Sequence, residues 1–155
     1  MHFLVAAVGK PRDANLAGAI AEYETRAARY WPLRVQEVRE EPARSSSPDL
    51  VREREGERLL HVVPPGAQVV ACDVNGRTMA SEQFARWLQD LRERAVDVVF
   101  MIGGAFGLGH EVKARASAAI ALAPWTLPHE LARLVLAEQL YRAGTIVRGE
   151  PYHKA

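Results

Sequence analysis

The sequence predicts an α/β fold in which a mainly parallel sheet is covered by helices on both faces. Two observations carry this prediction: apolar runs typical of buried strands recur along the chain, and segments with helical spacing of apolar residues separate them. No internal repeat or linker interrupts this alternation. We therefore expect the 155 residues to form one domain, 1–155, at a length for which folding buries about two-thirds of the unfolded chain's surface.

The first half of the chain begins with a strand-like run. Residues 2–9 are continuously apolar and end in glycine, which is typical of a buried strand. Apolar residues recur at helical spacing over 15–30, until Trp31-Pro32 stops the pattern. Residues 33–38 alternate apolar and polar side chains and predict a strand with one face in solvent. The serine-rich segment 41–48 predicts a loop.

The following segments continue the alternation. Residues 49–63 are rich in good helix formers, and Pro64-Pro65-Gly66 ends the helix that they predict. Residues 67–74 predict a buried strand, followed by a turn at Asn75-Gly76. Ser81 opens a helix with one apolar side. The rest predicts a strand, a glycine loop, a helix, a short strand and a final helix, over residues 96–102, 103–109, 110–118, 120–122 and 128–143.

Three segments that follow predicted strands are candidates for a ligand site. Parallel sheets bind ligands outside the carboxyl ends of their strands, so we expect Cys72-Asp73, the glycine loop and residues 122–128 to share one crevice. The loop matches neither nucleotide fingerprint, which disfavours a phosphate cradle. Its glycines either let main-chain groups approach a flat ligand or simply form tight turns.

Metal and thiol chemistry receive little support from the sequence. His110-Glu111 and His129-Glu130 lack the second histidine of a zinc-binding HExxH motif, so we predict no metal site. Cys72, the single cysteine, is either a thiolate nucleophile or a small buried side chain, and its apolar strand favours the second. His129 is either an ordinary residue at the start of the last helix or a donor at the mouth of the crevice.

Composition bounds the compartment and the partners. Hydrophobic residues make up 48% of the chain and charged residues 25%, as in ordinary globular proteins. No apolar run approaches the roughly 20 residues of a membrane span, and no signal-peptide pattern opens the chain. We therefore expect a cytoplasmic protein without membrane contact. Because the formal net charge is only +1, an RNA-binding surface must be local or assembled between subunits.

The last helix and the tail after it suggest an assembly. Apolar residues surround the helix almost completely, which favours an oligomer interface. Glu138 and Arg142, four residues apart, form either a structural ion pair or part of a catalytic group. The segment after Ala143 is basic, and Tyr152 offers a ring on which a base can stack, although a solvated terminus would have similar composition.

Three stretches resemble the RlmH family of SPOUT-class methyltransferases: IGGAFGL at 102–108, WTLPHELARLVLAEQLYRA at 125–143 and PYHKA at 151–155. The resemblance covers the whole chain, including AVGK near the N-terminus and DVNG after the third strand. It implies a SPOUT fold with a C-terminal trefoil knot, acting as a homodimer. It also implies methylation of N3 of a pseudouridine in 23S ribosomal RNA, with S-adenosylmethionine as methyl donor. We expect the assembled ribosome to present this target.

The resemblance also implies which residues form the site. The family's donor-binding positions fall at the three strand ends selected above: Cys72, Gly103, Leu122, Ala123, Pro124, Trp125, Thr126 and Leu127. We expect the target base to be oriented by His129, Arg142, Tyr152 and His153, with Arg142 favouring the imide anion. Which of these removes the proton stays open. Ala105-Phe106 stands where the family often has a Pro-Glu or Ala-Tyr pair, so no acidic role is expected in that loop.

Two other functions remain compatible with the residues. A nucleotide-binding oxidoreductase would hold a dinucleotide at the glycine loop. A non-catalytic ribosome-associated protein would bind ribosomes without transferring a methyl group, and no residue is an unmistakable acid or base that would exclude it.

Overall fold

A computed structural model describes residues 1–42, 44 and 47–154 of the chain. Strands and helices alternate through this part. The strands are β1 (Phe3–Val8), β2 (Leu33–Val38), β3 (Gln68–Arg77), β4 (Val98–Ile102) and β5 (Ala118–Ile120). The helices are α1 (Ala14–Ala27), α2 (Pro48–His61), α3 (Ser81–Glu93), α4 (His110–Arg115) and α5 (His129–Val147). Part of the loop predicted over 41–48, namely residues 43, 45 and 46, lies outside the described residues.

The five strands form one sheet in the order β2-β1-β4-β3-β5, and every pairing is parallel. This confirms the predicted α/β fold with a mainly parallel sheet. The strands β1 and β4 are buried along their whole length, as their continuous apolar sequences predicted. Because β4, β3 and β5 are neighbours, their carboxyl ends lie side by side at one edge of the sheet.

Helices cover both faces of the sheet. On one face, α1, α3 and α5 enclose an aromatic and aliphatic core that includes Phe3, Trp31, Phe100 and Leu140. The Trp31 indole N–H donates to the Leu140 carbonyl at 2.8 Å, so even this buried polar group is satisfied. On the other face, α2 and α4 enclose a smaller core that includes Leu59, Val69, Met101 and Val112. Each such fully buried side chain contributes about 1.5–3 kcal/mol to folding.

Helix α5 extends beyond its predicted end at residue 143. Glycine usually stops a helix, but here Gly144 is buried within α5, where a Cβ would lie 2.4 Å from the Cβ of Tyr30. The glycine therefore permits close helix packing. The helix ends at Val147, and the φ of +69° at Gly149 allows the Gly149 and Glu150 amides to donate back to its last turn. The prediction of a tail starting at residue 144 was wrong.

Other predicted boundaries also change. Strand β3 does not end at residue 74 but continues to Arg77, and its register with β5 shifts so that both Cys72 and Arg77 pair with Ile120. The predicted turn at Asn75-Gly76 is therefore a bulge within the strand. Strand β2 lies at the sheet edge and Val35 is 36% exposed, so its predicted buried face is only partly covered. Helix α4 and strand β5 end at Arg115 and Ile120, earlier than predicted.

A buried ion-pair network ties α5 to α1 and β2. Arg133 is 8% exposed, and its guanidinium donates to both carboxylate oxygens of Glu24 at 3.0 and 3.1 Å. It also donates to Glu37 at 2.7 Å. No local sequence pattern indicates this network, because its acids lie far from Arg133 along the chain. A guanidinium fork suits such two-sided recognition.

Candidate functional site

A cleft of about 720 Å³ lies at the carboxyl ends of β3 and β4. A smaller cleft of about 150 Å³ adjoins it and reaches the segment after β5. The two share several lining residues, among them Cys72, Asp73, Leu108, Thr126 and Leu127. This confirms that the three strand-end segments share one crevice. Small-molecule sites commonly occupy about 300–1,000 Å³, so the crevice can accept a nucleoside-sized ligand.

Seven of the eight predicted donor-binding residues line this crevice, and Pro124 is the exception. Gly103 lines the larger cleft, and Leu122, Ala123 and Trp125 line the smaller one. Cys72, Thr126 and Leu127 line both. Pro124 is exposed between Ala123 and Trp125, whose side chain is 78% exposed at the cleft mouth.

The glycine loop after β4 folds tightly on itself. The Gly107 amide donates to the Gly104 carbonyl at 3.0 Å, and Gly107 has a φ of +78°. A Cβ on Gly103 would lie 2.4 Å from the carbonyl carbon of Gly107, so position 103 excludes any side chain. These two positions require glycine for different reasons: close approach at 103 and positive φ at 107. The loop therefore presents main-chain groups to the cleft.

The charges of the crevice lie at its edge. Lys113 of α4 pairs with Asp73 at 3.3 Å, and both line the larger cleft. Arg52 of α2 also lines it and donates to the Phe106 carbonyl at 3.3 Å. Neither Arg52 nor Lys113 was predicted as a site residue. The only available signal was their position on helices that pack beside the glycine loop, and nothing distinguished them from other surface cations.

The chemistry of Cys72 follows from its surroundings. Burial raises the pKa of its thiol to about 12, so the side chain is a neutral thiol at physiological pH. A thiolate nucleophile is therefore not supported. A cradle closed to side chains at Gly103, next to an apolar slot formed by Leu108, Leu122 and Leu127, fits an adenosyl donor bound by its flat base and by peptide groups.

The residues expected to orient the base do not form one cluster in a single chain. His129 begins α5 and lines the larger cleft. Arg142 lies 13 residues further along the same helix, which corresponds to about 20 Å of helix length. There the Arg142 guanidinium donates to Glu138 Oε1 at 2.9 and 2.6 Å. The predicted pairing of Glu138 with Arg142 is confirmed.

Arg142, Tyr152 and Glu138 form a compact group. The Tyr152 hydroxyl donates to Glu138 Oε1 at 3.0 Å, and the Arg142 guanidinium lies over the Tyr152 ring, 5.0 Å from its centroid. Burial raises the pKa of Tyr152, and the hydrogen bond to the Glu138 carboxylate raises it further, so its phenol stays neutral. The hydrogen bonds that Arg142 donates to the Glu138 carboxylate raise the pKa of Arg142.

Two neighbours of this group were not anticipated. Tyr141 packs edge-on against Tyr152 with ring centroids 4.5 Å apart, and Tyr23 of α1 lies 6.1 Å from Tyr141. Helical spacing alone could have placed Tyr141 beside Glu138, but nothing in the sequence connects Tyr23 to the tail. The Nδ1 atom of His153 is buried, and no described residue gives it a hydrogen bond.

The described residues show neither a metal-binding cluster nor a membrane-spanning helix. Within 1–42, 44 and 47–154, no group of three or more His, Cys, Asp and Glu side chains is placed to hold a metal ion. In the same part of the chain, none of the helices combines the length and the apolar character needed to span a membrane.

Relatives of the chain are numerous and similar over their full length. "Ribosomal RNA large subunit methyltransferase H" of Gemmatimonas aurantiaca is 63% identical over 99% of this chain and 100% of its own. Proteins of the same name from Anaeromyxobacter dehalogenans and Rhodospirillum centenum are 45% and 43% identical, over 99% and 100% of this chain and 100% of theirs.

A solved structure and a protein family also match the chain over most of its length. A probable methylase family protein from Haemophilus influenzae Rd KW20 superposes with a TM-score of 0.58 over 99% of this chain and 70% of its own, at 11% identity, and so shares the fold. The family described as "Predicted SPOUT methyltransferase" matches residues 1–153. With a match over nearly its whole length and close relatives of the same kind, the chain belongs to the SPOUT methyltransferase family.

Proposed function

We propose that this protein methylates N3 of a pseudouridine in 23S ribosomal RNA, with S-adenosylmethionine as the methyl donor. One observation carries the proposal: a crevice at three neighbouring strand ends, closed to side chains at Gly103, in a chain of the SPOUT methyltransferase family. The named relatives, which are ribosomal RNA large subunit methyltransferases, support the substrate. The comparisons give no support to the alternative of a dinucleotide-dependent oxidoreductase.

The donor lies in the crevice described above. The residues that would hold its adenosyl part are Leu122, Ala123, Pro124, Trp125, Thr126 and Leu127, and Cys72 and Gly103 would contribute through their backbones. An apolar slot with exposed peptide groups suits this ligand, because the adenine ring is flat and its edge both donates and accepts hydrogen bonds. When bound, S-adenosylmethionine would supply its methyl carbon to the electron pair of the deprotonated N3, while the bond from that carbon to the sulfonium sulfur breaks and S-adenosylhomocysteine leaves.

The residues of this chain position the base and assist loss of its imide proton. Arg142 stabilises the developing imide anion, while its pairing with Glu138 fixes the direction of the guanidinium. Tyr152, His153 and His129 orient the base. Positioning alone can contribute about 7–11 kcal/mol to lowering the barrier, so a strong base is not required.

The active site is assembled from two copies of the chain. His129 and the donor crevice lie about 20 Å along α5 from Arg142, too far for both to meet one base. In a homodimer, the C-terminal segment of one subunit reaches the donor crevice of the other. The half-buried Leu131, Leu134 and Val135 of α5 supply an apolar surface for this pairing.

Other features of the proposal follow from the family. Residues 1–155 form one catalytic domain whose C-terminal part is knotted. The enzyme acts in the cytoplasm, where the assembled ribosome presents the target. With a formal net charge of +1, one subunit has little long-range attraction for naked RNA.

Transfer of a tritiated methyl group from S-adenosylmethionine to ribosomes that lack the modification tests the function. We expect incorporation at one pseudouridine of whole ribosomes, weaker incorporation into free subunits and little into naked RNA. Equal incorporation into naked RNA would reject the requirement for the ribosome. Co-sedimentation with ribosomes without methyl incorporation would instead identify a binding protein that lacks activity. Calorimetry with S-adenosylmethionine and with NAD provides an independent check on the ligand.

A further inference from the structure

A buried carboxyl group lies directly behind the glycine loop, on the side away from the cleft. Glu55 of α2 is 2% exposed. A Cβ placed on Gly104 would lie 2.8 Å from Glu55 Oε1 and 3.1 Å from Cγ1 of Val8. The backbone of Gly104 therefore rests on the Glu55 carboxyl and the end of β1, with no space between them.

The hydrogen bonding of Glu55 is incomplete. Its Oε2 accepts from the Glu41 amide at 3.0 Å, whereas no described residue donates to Oε1. The charged groups that face it are Glu40 and Glu41 after β2 and Arg58 on its own helix. The end of β1 and the glycine loop present no titratable side chain to it. An unpartnered buried oxygen costs about 1–3 kcal/mol, which calls for an explanation.

Helix α2 also holds the rest of the loop. The Arg52 guanidinium donates to the Phe106 carbonyl at 3.3 Å. At the far end of the loop, a Cβ on Gly109 would lie 3.1 Å from the Arg52 carbonyl oxygen. Because α2 touches the loop at its start, middle and end, the position of this helix sets the position of the main-chain groups that line the cleft.

We propose that Glu55 is a positioning residue for the methyl donor: its side chain fixes the position of the Gly104 backbone in the loop and thereby sets donor affinity. The inference rests on the proposed function, because it assigns the glycine loop to donor binding. Glu55 itself does not line the cleft and acts only through Gly104.

We expect donor affinity to depend more on the length of the side chain at position 55 than on its charge. Glu55→Asp withdraws the carboxyl by one methylene and leaves Gly104 without support, so we expect the dissociation constant of S-adenosylmethionine to rise about tenfold. Glu55→Gln keeps the length, and we expect a change of less than about threefold. Glu57→Gln, on the exposed face of the same helix, is the matched control and should leave donor affinity unchanged.

A double-mutant cycle tests the contact itself. Gly104→Ala should weaken donor binding about tenfold or more in the native background, because its methyl group collides with Glu55. In the Glu55→Asp background the same substitution should cost clearly less, since the carboxyl has withdrawn. Calorimetry gives the dissociation constants, and circular dichroism confirms that each variant is folded. Steady-state kinetics should show a raised KM for the donor with the KM for ribosomes unchanged.

The outcomes separate the two proposals. If the native protein binds S-adenosylmethionine but Glu55→Asp binds it equally well, or the two substitutions act additively, Glu55 does not position the loop and the proposed function still stands. If the native protein does not bind S-adenosylmethionine, the proposed function fails, and this inference fails with it. A loss of stability in Glu55→Asp without a change in donor affinity would show a purely structural role and would overturn the inference.

Discussion

The Tyr152 hydroxyl and the Arg142 guanidinium both donate to one oxygen of Glu138. Two consequences follow. The C-terminal segment is fastened to α5 by a charge-assisted hydrogen bond, and Arg142 is held in a fixed orientation before any substrate arrives. In the proposed mechanism, this shared oxygen aligns the cation that faces the target base.

Tyr152→Phe distinguishes the contribution of the Tyr152 hydroxyl from that of its ring. The variant keeps the ring beneath Arg142 and against Tyr141 but loses the hydrogen bond to Glu138. We expect the free energy of unfolding to fall by about 0.5–1.5 kcal/mol and methyl transfer to ribosomes to slow. Tyr152→Ala, which also removes the ring, should slow transfer further. Equal rates for the two variants would show that the ring contributes nothing.

His153→Ala tests the role of the tail in the reaction. We expect donor binding to stay nearly native, because His153 is not among the residues that line the crevice, while methyl transfer falls about tenfold or more. Single-turnover transfer at saturating ribosomes and donor calorimetry measure the two effects. His61→Ala, an exposed histidine at the end of α2, is the control. Unchanged turnover in His153→Ala would remove the tail from the mechanism.

Gly144→Ala should destabilise the fold. Its Cβ would lie 2.4 Å from Tyr30, so α1 and α5 must separate or Tyr30 must move, at a cost of about 1–3 kcal/mol. Gly18→Ala in α1 is the control, because a Cβ there meets nothing within 4 Å. That substitution should stabilise by about 0.4–1 kcal/mol. Urea denaturation compares the two, and similar stabilities would contradict the packing argument.

Arg133→Ala should be strongly destabilising, because it leaves the carboxylates of Glu24 and Glu37 without their shared partner in a largely buried site. We expect a loss of about 3–5 kcal/mol in the free energy of unfolding. Arg12→Ala breaks a pair with Glu40 in which Arg12 is 81% exposed, and it should change stability by less than about 1 kcal/mol. If both variants lose the same amount, burial is not what makes the Arg133 network important.

The raised pKa of Glu55 predicts that the stability of the protein depends on pH. Burial raises the pKa of its carboxyl, so the folded state retains the proton at pH values where the unfolded chain has lost it. The stability that the protonated Glu55 contributes is fully present below the ordinary carboxyl pKa, and it is lost as pH rises through the raised pKa. The stability of Glu55→Gln relative to native protein should therefore increase with pH over this window. Glu57→Gln should show no such trend in urea titrations.

The parallel sheet and the shared crevice illustrate what sequence patterns determine. The continuously apolar sequences of β1 and β4 predicted buried parallel strands, and ligand sites at strand ends follow from that arrangement. The approximate places of Cys72, Gly103 and residues 122–127 were therefore predictable. Their contacts with a donor remain predictions.

The misjudged features depend on contacts between distant parts of the chain. In the sequence, Gly144 looks like the end of a helix. In the structure it lies within α5 and allows Tyr30 to pack closely against the helix. In the sequence, Arg133 looks like an ordinary surface cation. Only the folded structure shows that it pairs with Glu24 of α1 and Glu37 of β2. Glu55 lies in a run of charged residues and cannot be distinguished from its exposed neighbour Glu57. Such residues are defined by tertiary packing, which local pattern does not encode.

The exposure of Trp125 gives the protein a built-in optical reporter. Of the three tryptophans in the chain, Trp31 is 2% exposed in the core and Trp87 is half-buried against it, whereas Trp125 is 78% exposed at the cleft mouth. Any change in red-edge emission or in quenching by iodide on adding a ligand will come chiefly from Trp125. Occupancy of the crevice can thus be followed in real time without a label.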